Sequence, residues 1–147
     1  MDIISIEKLE HKIHSFSRHR FCLEFWCFEK MGIHPGQCHM ISLIHRYPGR
    51  SQKELADIIN IKPATMTVMV KKLEKAELVK RIPHETDQRM LKIYLTEKGD
   101  DVFIKLDEIR KKMQMEYYKN FTEEELHTLY ELIKKMDDNI KRIKDDV

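Results

Sequence analysis

Two helix starts lie close together between residues 51 and 63, and they constrain the fold more than any other feature of the chain. Ser51 is followed three residues later by Glu54, the spacing of a capping box, in which each side chain satisfies the other residue's backbone amide. Asn60 tolerates the left-handed conformation that ends a helix, and Pro63 is favoured in a first helical turn. The segment therefore predicts a short helix, a turn of about three residues, and a second helix from 63 to about 76.

The second of these helices is predicted to have two chemically different faces. Apolar residues at helical spacing form the side that packs on a core: Met66, Met69, Val70 and Leu73. The opposite side is small, polar and basic: Ala64, Thr65, Val68, Lys71, Lys72 and Lys75. This second side is expected to face outward, where it is available to a partner.

A two-stranded ribbon is predicted directly after this helix. The runs "LVKRI" and "MLKIYL" are rich in β-branched and aromatic residues, and the polar segment between them carries Asp87 and Arg89. A short helix, a tight turn, a second helix and a ribbon with a basic tip make a winged helix-turn-helix. The predicted fold class is therefore mainly α with a small antiparallel β wing.

Long helices are predicted on both sides of this unit. Only four glycines and four prolines interrupt the chain, and the segments 3–30 and 97–119 have apolar residues at helical spacing. Thr122 and Glu125 form a second capping box, which begins the last helix. Its apolar residues alternate spacings of three and four, the seam of a helix packed lengthwise on another: Leu126, Leu129, Ile133, Met136, Ile140, Ile143 and Val147. The flanking segments are therefore expected to pack against a partner.

Charge is distributed unevenly along the chain. The formal net charge of +2 comes from 27 Lys and Arg against 25 Asp and Glu, but residues 50–92 alone carry ten basic and six acidic residues. This surplus lies in the winged segment, where it suits a polyanion. No apolar run reaches the roughly 18 residues that a membrane helix requires, and the N-terminus does not resemble a signal peptide. No membrane association and a cytoplasmic location are expected.

The predicted winged unit has the chemistry of a protein that binds double-stranded DNA. The major groove admits one α-helix whose side chains contact base edges, whereas phosphates bind Lys, Arg, hydroxyl groups and helix N-termini. A winged helix used only for protein interaction is the alternative of another class, and the basic surplus favours DNA. The predicted DNA-binding residues are Ser51, Gln52, Pro63, Ala64, Thr65, Thr67, Val68, Lys71, Lys72, Arg81, Asp87 and Arg89.

The segment "SQKELADIINIKPATMTVMVKKLEKAELVKRIPHETDQRMLKIYLTEKG" resembles the DNA-binding core of the MarR family of transcription regulators. The resemblance includes the wing pattern Asp, any residue, Arg, followed by Leu-Thr before the next helix. It implies a homodimer, expected to be a repressor, whose winged domains each bind one half-site of a near-palindromic operator. It also implies that Arg89 enters the minor groove and that Asp87 orients it through a salt bridge.

The resemblance divides the chain into three parts. Residues 1–32 are expected to form an N-terminal dimerisation helix, residues 33–96 the DNA-binding domain, and residues 97–147 the C-terminal dimerisation helices. Two positions depart from the family pattern. Val68 replaces a frequent Arg, so base recognition is expected from Thr65, Thr67, Lys71 and an apolar contact of Val68 with a thymine methyl group. Glu77 replaces a frequent Gly, so the helix is expected to run on slightly or to end at a strained residue.

The resemblance further implies release from DNA by a small aromatic or lipophilic effector, bound in a crevice between the dimer helices and the winged domain. The candidate pocket residues are Phe16, Arg18, Phe25, His39 and Tyr47, with Arg18 or His39 meeting a carboxylate. The competing interpretation of the aromatic residues is the core of the dimer.

The alternative to a small-molecule effector is a regulator that responds to a metal ion or to oxidation of a thiol. Cys38 and His39 form a ligand-competent pair, but the helix after the wing lacks the His residues of zinc-sensing relatives. Cys22 and Cys27 lie among aromatic residues, and because an apolar setting makes a thiol inert, they are interpreted as core cysteines. No metal site and no cofactor are expected. The chain has no P-loop, dinucleotide-binding glycine pattern or serine-nucleophile motif, so it is not expected to be an enzyme.

Overall fold

The computed structural model describes residues 4–145, with side chains through residue 143. Its elements in chain order are α1 (Ile6–Lys30), α2 (Pro35–Arg46), α3 (Gln52–Ile58), α4 (Pro63–Lys75), β1 (Val79–Pro83), β2 (Leu91–Leu95), α5 (Glu97–Tyr117) and α6 (Glu123–Asp145). The predicted fold class, mainly α with an antiparallel two-stranded wing, is confirmed. Val147, the last residue of the predicted seam, lies outside the described residues.

The chain divides into two compact units, one ending at Arg110 and the other beginning at Lys111. The core of the first unit joins α2, α3, α4, the wing and the first half of α5. Its fully buried large side chains are Met40, Ile41, Ile44, Leu55, Met66, Val70, Leu73, Ile93 and Leu106. Each such side chain contributes roughly 1.5–3 kcal/mol by leaving water. The predicted inward face of α4 is confirmed, since only Met69 among its four residues is partly exposed.

Local sequence signals place α3 and α4 as predicted. The Ser51 hydroxyl accepts the Glu54 amide at 3.2 Å, and the Glu54 carboxylate accepts the Ser51 amide at 2.8 Å, which completes the capping box. Asn60 has φ of 53°, and Pro63 begins α4. The short turn between the helices therefore follows from residues whose conformational preferences agree with it.

Glu77 lies in the turn between α4 and β1, and its φ of 60° is in the left-handed region. The expectation of a strained residue at this position is confirmed. The start of α5 is tied to the same turn. The Thr96 hydroxyl donates to the Glu77 carbonyl at 2.6 Å, and Lys98 Nζ donates to the Ala76 carbonyl at 2.9 Å. A side chain at Gly99 would collide with the Leu78 carbonyl, so the close approach of α5 to the wing requires glycine there.

The wing pairs β1 and β2 from Val79 opposite Leu95 to Pro83 opposite Leu91. The loop before α3 adds a third short segment, because Arg50 bridges to Ile93, with the Ile93 amide donating to the Arg50 carbonyl at 2.9 Å. This bridge fixes the wing against the beginning of α3.

The apolar side chains of α1 and α6 are largely exposed in the single chain. Of α1 only Phe28, near its end, is buried. Cys22 is therefore exposed and Cys27 half-buried, so the interpretation of Cys22 as a core cysteine is wrong within one chain; Cys38 on α2 is the fully buried thiol. On α6 the exposed seam residues include Ile133, Met136, Ile140 and Ile143.

Candidate nucleic-acid interface

The outer face of α4 is left open by the contacts of the first unit. With Met66, Val70 and Leu73 packed into the core, the residues that point outward include Ala64, Thr65, Val68, Lys71 and Lys72. Val68 is 53% exposed, a large value for an apolar residue on a helix that packs on the core. This surface is the one on which the sequence placed base recognition.

Thr67 and Gln52, both predicted to contact DNA, are brought together by the fold. The Thr67 hydroxyl donates to the Pro63 carbonyl at 3.0 Å and accepts from Gln52 Nε2 at 3.0 Å. A hydroxyl has one proton and two lone pairs, so Thr67 retains a single lone pair. The Thr67 hydroxyl therefore links α3 to α4, and its proton is used within the chain. The second amide proton of Gln52 is not used in this link.

Ser51 and Pro63 lie at the starts of α3 and α4, where the sequence predicted them to offer backbone amides. The Ser51 amide and hydroxyl are both engaged with Glu54, whose carboxylate also accepts from Arg50 Nη1 at 3.0 Å. The bond from the Ser51 amide, and then that from Arg50, hold the pKa of Glu54 below its ordinary value of 4.5. The carboxylate therefore stays charged at neutral pH, and it partly neutralises Arg50.

The wing tip is ordered by two local turns. Asp87 Oδ1 accepts the backbone amide of Arg89 at 3.0 Å, and His84 Nδ1 accepts the backbone amide of Thr86 at 3.2 Å. Both are turns in which a side chain accepts from the amide two residues on. Met90 closes the tip, with its carbonyl accepting from the His84 amide at 2.8 Å.

The salt bridge expected between Asp87 and Arg89 is not formed; among the described residues, no ion pair joins the two side chains. The carboxylate instead bonds the Arg89 amide, because an acceptor two residues away reaches a backbone amide without ordering a long side chain. Arg89 is exposed, and its guanidinium has no partner within the part of the chain that the structure describes. Asp87 therefore fixes the backbone from which Arg89 projects.

Arg81, which the sequence predicted to bind DNA, contacts Glu74 on α4. Its Nη2 lies 3.3 Å from Glu74 Oε2, and its side chain is only 21% exposed. Its Nε is buried without a hydrogen-bond partner. The contact joins β1 to α4, so it positions the wing relative to the outer face of α4.

A cavity of about 330 Å³ lies between the wing and the start of α3. Arg50, Ser51 and Glu54 line it on one side, and His84 and Lys92 on the other. Its wall contains more basic than acidic side chains, with Arg50 and Lys92 against Glu54.

The five residues predicted to form an effector pocket lie on α1 (Phe16, Arg18 and Phe25), on α2 (His39) and directly after α2 (Tyr47). Phe16 is 51% exposed, Arg18 and His39 are exposed, and Tyr47 packs partly buried against the core. Phe25 contacts the His34 ring edge-on, with centroids 6.5 Å apart.

A cavity of about 290 Å³ does lie between α2 and α4, and none of those five residues is in its wall. Its lining includes His34, Met40, Met69 and Lys72. His34 caps the start of α2, where its Nδ1 accepts the Gly36 amide at 3.1 Å, and this role was not predicted from the sequence. The capping-box spacing to Gln37, whose Oε1 accepts the His34 amide, was the available signal.

Arg110 is linked to the backbone of Cys38 through the hydroxyl group of Ser42, an arrangement that was not predicted from the sequence. Arg110 Nη1 donates to Ser42 Oγ at 2.6 Å, and Ser42 Oγ donates to the Cys38 carbonyl at 3.0 Å. Burial raises the pKa of the Cys38 thiol to about 11, although the Arg110 charge opposes the shift. The thiol is therefore protonated at neutral pH and unsuited to redox chemistry.

Within residues 4–145, no three His, Cys, Asp or Glu side chains come together as ligands for a metal ion. Over the same residues, no helix combines the length and apolar character needed to cross a membrane.

The model of the MarR family matches residues 33–91, which span α2, α3, α4, the first strand and the wing tip. The chain is also 31% identical over 101 residues to the HTH-type transcriptional repressor MdtR of Bacillus subtilis (strain 168). Residues 33–91 are therefore a MarR-family domain. The alignment covers 67% of this chain and 63% of MdtR, somewhat less than two thirds of that relative.

Two further comparisons agree with the MarR assignment. The uncharacterized HTH-type transcriptional regulator YybA of Bacillus subtilis (strain 168) is 29% identical over 115 residues, which cover 78% of this chain and 77% of YybA. The crystal structure of Streptococcus pneumoniae FabT in complex with DNA superposes with a TM-score of 0.86 at 17% identity, covering 95% of this chain and 99% of FabT. This likeness shows a shared winged-helix fold. The MarR family consists of transcription regulators, which are not enzymes.

Proposed function

We propose that this MarR-family chain is a cytoplasmic, dimeric repressor that binds double-stranded DNA. In this proposal α4 enters the major groove and Arg89 enters the adjacent minor groove of each half-site of a near-palindromic operator. The observation that carries the proposal is the outer face of α4, which remains exposed beside a wing whose arginine projects into solvent.

Electrostatics support a nucleic acid as the partner. Lys71 and Lys72 are exposed on α4, and the ten basic residues of 50–92 exceed the six acidic ones. Arg81 pairs with Glu74 and holds the wing against α4, and Arg50 pairs with Glu54 at the start of α3. The exposed Lys71 and Lys72 remain available to bind phosphates.

The minor groove suits the wing. An exposed guanidinium gains from the negative potential focused in a narrow groove, and the Asp87 bond to the Arg89 amide reduces the number of backbone conformations that binding has to order.

Dimerisation supports a palindromic site. The apolar seam of α6 is exposed in the single chain, and its alternating spacing of three and four residues suits a helix partner. In this proposal residues 1–32 and 97–147 form the dimer, and residues 33–96 bind DNA. A two-fold protein binds a site with the same symmetry.

The signal is proposed to be a small aromatic or lipophilic molecule that releases the operator. The exposed aromatic residues Phe16 and Phe25, with Arg18, His39 and Tyr47, remain the predicted contacts. Release by aromatic acids, measured as loss of duplex binding at millimolar ligand, tests this part separately from DNA binding.

The test of DNA binding begins with selection of bound duplexes from a random pool by the full-length protein. Arg89→Ala should weaken binding to the selected duplex by about 1–3 kcal/mol. Arg89→Lys keeps the charge without the planar fork and should recover part of the loss. Lys105→Ala, on the exposed side of α5, is the matched control and should bind like the wild type.

Failure to enrich any duplex contradicts the proposal and favours the protein-interaction alternative. Enrichment with unchanged affinity of Arg89→Ala removes the wing from the mechanism while leaving α4 as the DNA-binding element.

A further inference from the structure

The exposed N-terminal half of α4 presents methyl groups where a base-contacting helix often presents amides or guanidinium groups. Ala64, Thr65 and Val68 are exposed and lie at helical spacing on one face. Val68 lies about one helical turn after Ala64 and Thr65, and it is 53% exposed. An apolar side chain so placed gains free energy only when a partner covers it.

The polar residue next to this face is already engaged. Thr67 bonds to Pro63 and to Gln52, each at 3.0 Å, so it holds α3 and α4 together. Of the four residues expected to recognise bases, Thr67 is thereby reduced to one free lone pair, and Lys71 lies one turn further along the helix.

The chemistry of Val68 selects one base. Bidentate recognition of guanine or adenine needs Arg, Lys, Asn or Gln, and valine offers none of these groups. In the major groove only thymine presents a methyl group, at C5, which apolar side chains contact. Lys71 and Lys72 flank Val68 and supply the charge that brings a duplex to this surface.

We propose that Val68, flanked by Ala64 and Thr65, packs on the C5-methyl group of a thymine in each half-site, and that this contact is the main sequence determinant of α4. The proposal rests on the DNA-binding function proposed above. It assigns Thr67 and Gln52 to positioning α4, and Lys71 and Lys72 to phosphate contacts.

The experiment replaces each thymine of the selected duplex, one at a time, by deoxyuridine, which removes only the methyl group. At one position in each half-site, the dissociation constant of the wild type should rise roughly fourfold, the ratio expected for one buried methyl-sized group. Replacing the same thymine–adenine pair by cytosine–guanine should weaken binding, and 5-methylcytosine at that position should recover about fourfold.

The protein variants identify the side chain. Val68→Ala should lose the discrimination between thymine and deoxyuridine, and its urea unfolding should match the wild type because Val68 makes no core contact. Lys72→Ala is the matched control, since loss of a phosphate contact should weaken both duplexes equally and leave their ratio unchanged.

The outcomes separate this inference from the proposed function. A flat deoxyuridine scan on a duplex whose binding still depends on Arg89 overturns the methyl contact alone. The same holds if Val68→Ala keeps the full discrimination. If no duplex binds at all, the DNA-binding function falls and the inference falls with it.

Discussion

At the scale of single residues, Glu77 occupies a conformation that L-residues adopt at a cost. Its φ of 60° lies in the left-handed region, where a Cβ atom costs about 1–2 kcal/mol. Its carboxylate makes only a loose contact with Lys98, at 3.8 Å, with 83% of the side chain exposed. The turn is therefore held by backbone bonds and by the Thr96 and Lys98 contacts to its carbonyls.

Glu77→Gly should raise the free energy of unfolding by about 1 kcal/mol, because glycine adopts this φ without a steric penalty. Ala76→Gly is the matched control one residue earlier, where φ is −80°, and it should lower stability by about 0.5–1 kcal/mol. Urea unfolding at one fixed protein concentration measures both, since the stability of a dimer depends on concentration. A loss of stability in Glu77→Gly contradicts the assignment of strain.

Sequence reasoning at this scale succeeded where the signal was local. The Ser51 and Glu54 box, the left-handed Asn60 and the first-turn Pro63 each depend on neighbours within four residues. The bond between Gln52 and Thr67 joins residues fifteen apart, and it exists only because α3 and α4 pack together. The same limit explains why the contact between Arg81 and Glu74 was not predicted: Glu74 lies on another element.

At the scale of the element, α3 depends on its first turn. It has seven residues, too few to be stable without capping and packing. The Glu54 carboxylate closes the capping box and pairs with Arg50, so its charge stabilises the helix that carries Gln52. The wing depends on the same loop, because Arg50 also bridges to Ile93.

The stabilisation by Glu54 should depend on pH. Because its folded-state pKa lies below the ordinary value of 4.5, the contribution is complete above that pH and is lost as pH falls through the lower folded value. The difference in unfolding free energy between wild type and Glu54→Gln should therefore be present at pH 7 and shrink below about pH 4.5. Urea unfolding of both proteins between pH 3 and 7 measures it. A difference that does not change with pH would show that the charge is not involved.

At the scale of the whole molecule, the single chain leaves much apolar surface uncovered. On α6 the exposed fractions of Ile133, Ile140 and Ile143 are 56%, 62% and 63%. Large exposed apolar patches mark interaction surfaces. The sequence predicted this seam from its spacing alone, because a repeat of 3.5 residues needs no knowledge of tertiary structure.

The surroundings of the predicted effector residues depend on tertiary and quaternary structure. Phe16 and Arg18 are exposed on α1, where the proposed dimer places a second copy. A pocket shared by several elements has no local sequence signal. The cavity between α2 and α4 was accordingly not predicted.

Dimerisation should be lost when the α6 seam is charged. Ile133→Glu with Ile140→Glu should convert a dimer of the 17.8 kDa chain to monomer in sedimentation equilibrium, because two carboxylates resist burial in an apolar interface. Thr128→Glu, which is exposed and outside the seam, is the control and should remain dimeric. A dimeric double variant places the interface elsewhere.

The central claim is that the outer face of α4 and the wing bind a DNA backbone and its grooves. Its most direct test is the affinity of full-length protein for the selected duplex as a function of salt concentration, by fluorescence anisotropy. We expect affinity to fall steeply with salt, and Lys71→Ala to reduce the slope of log affinity against log salt by about 1 per subunit, while Lys105→Ala leaves it unchanged. A slope that Lys71→Ala does not alter would contradict the account.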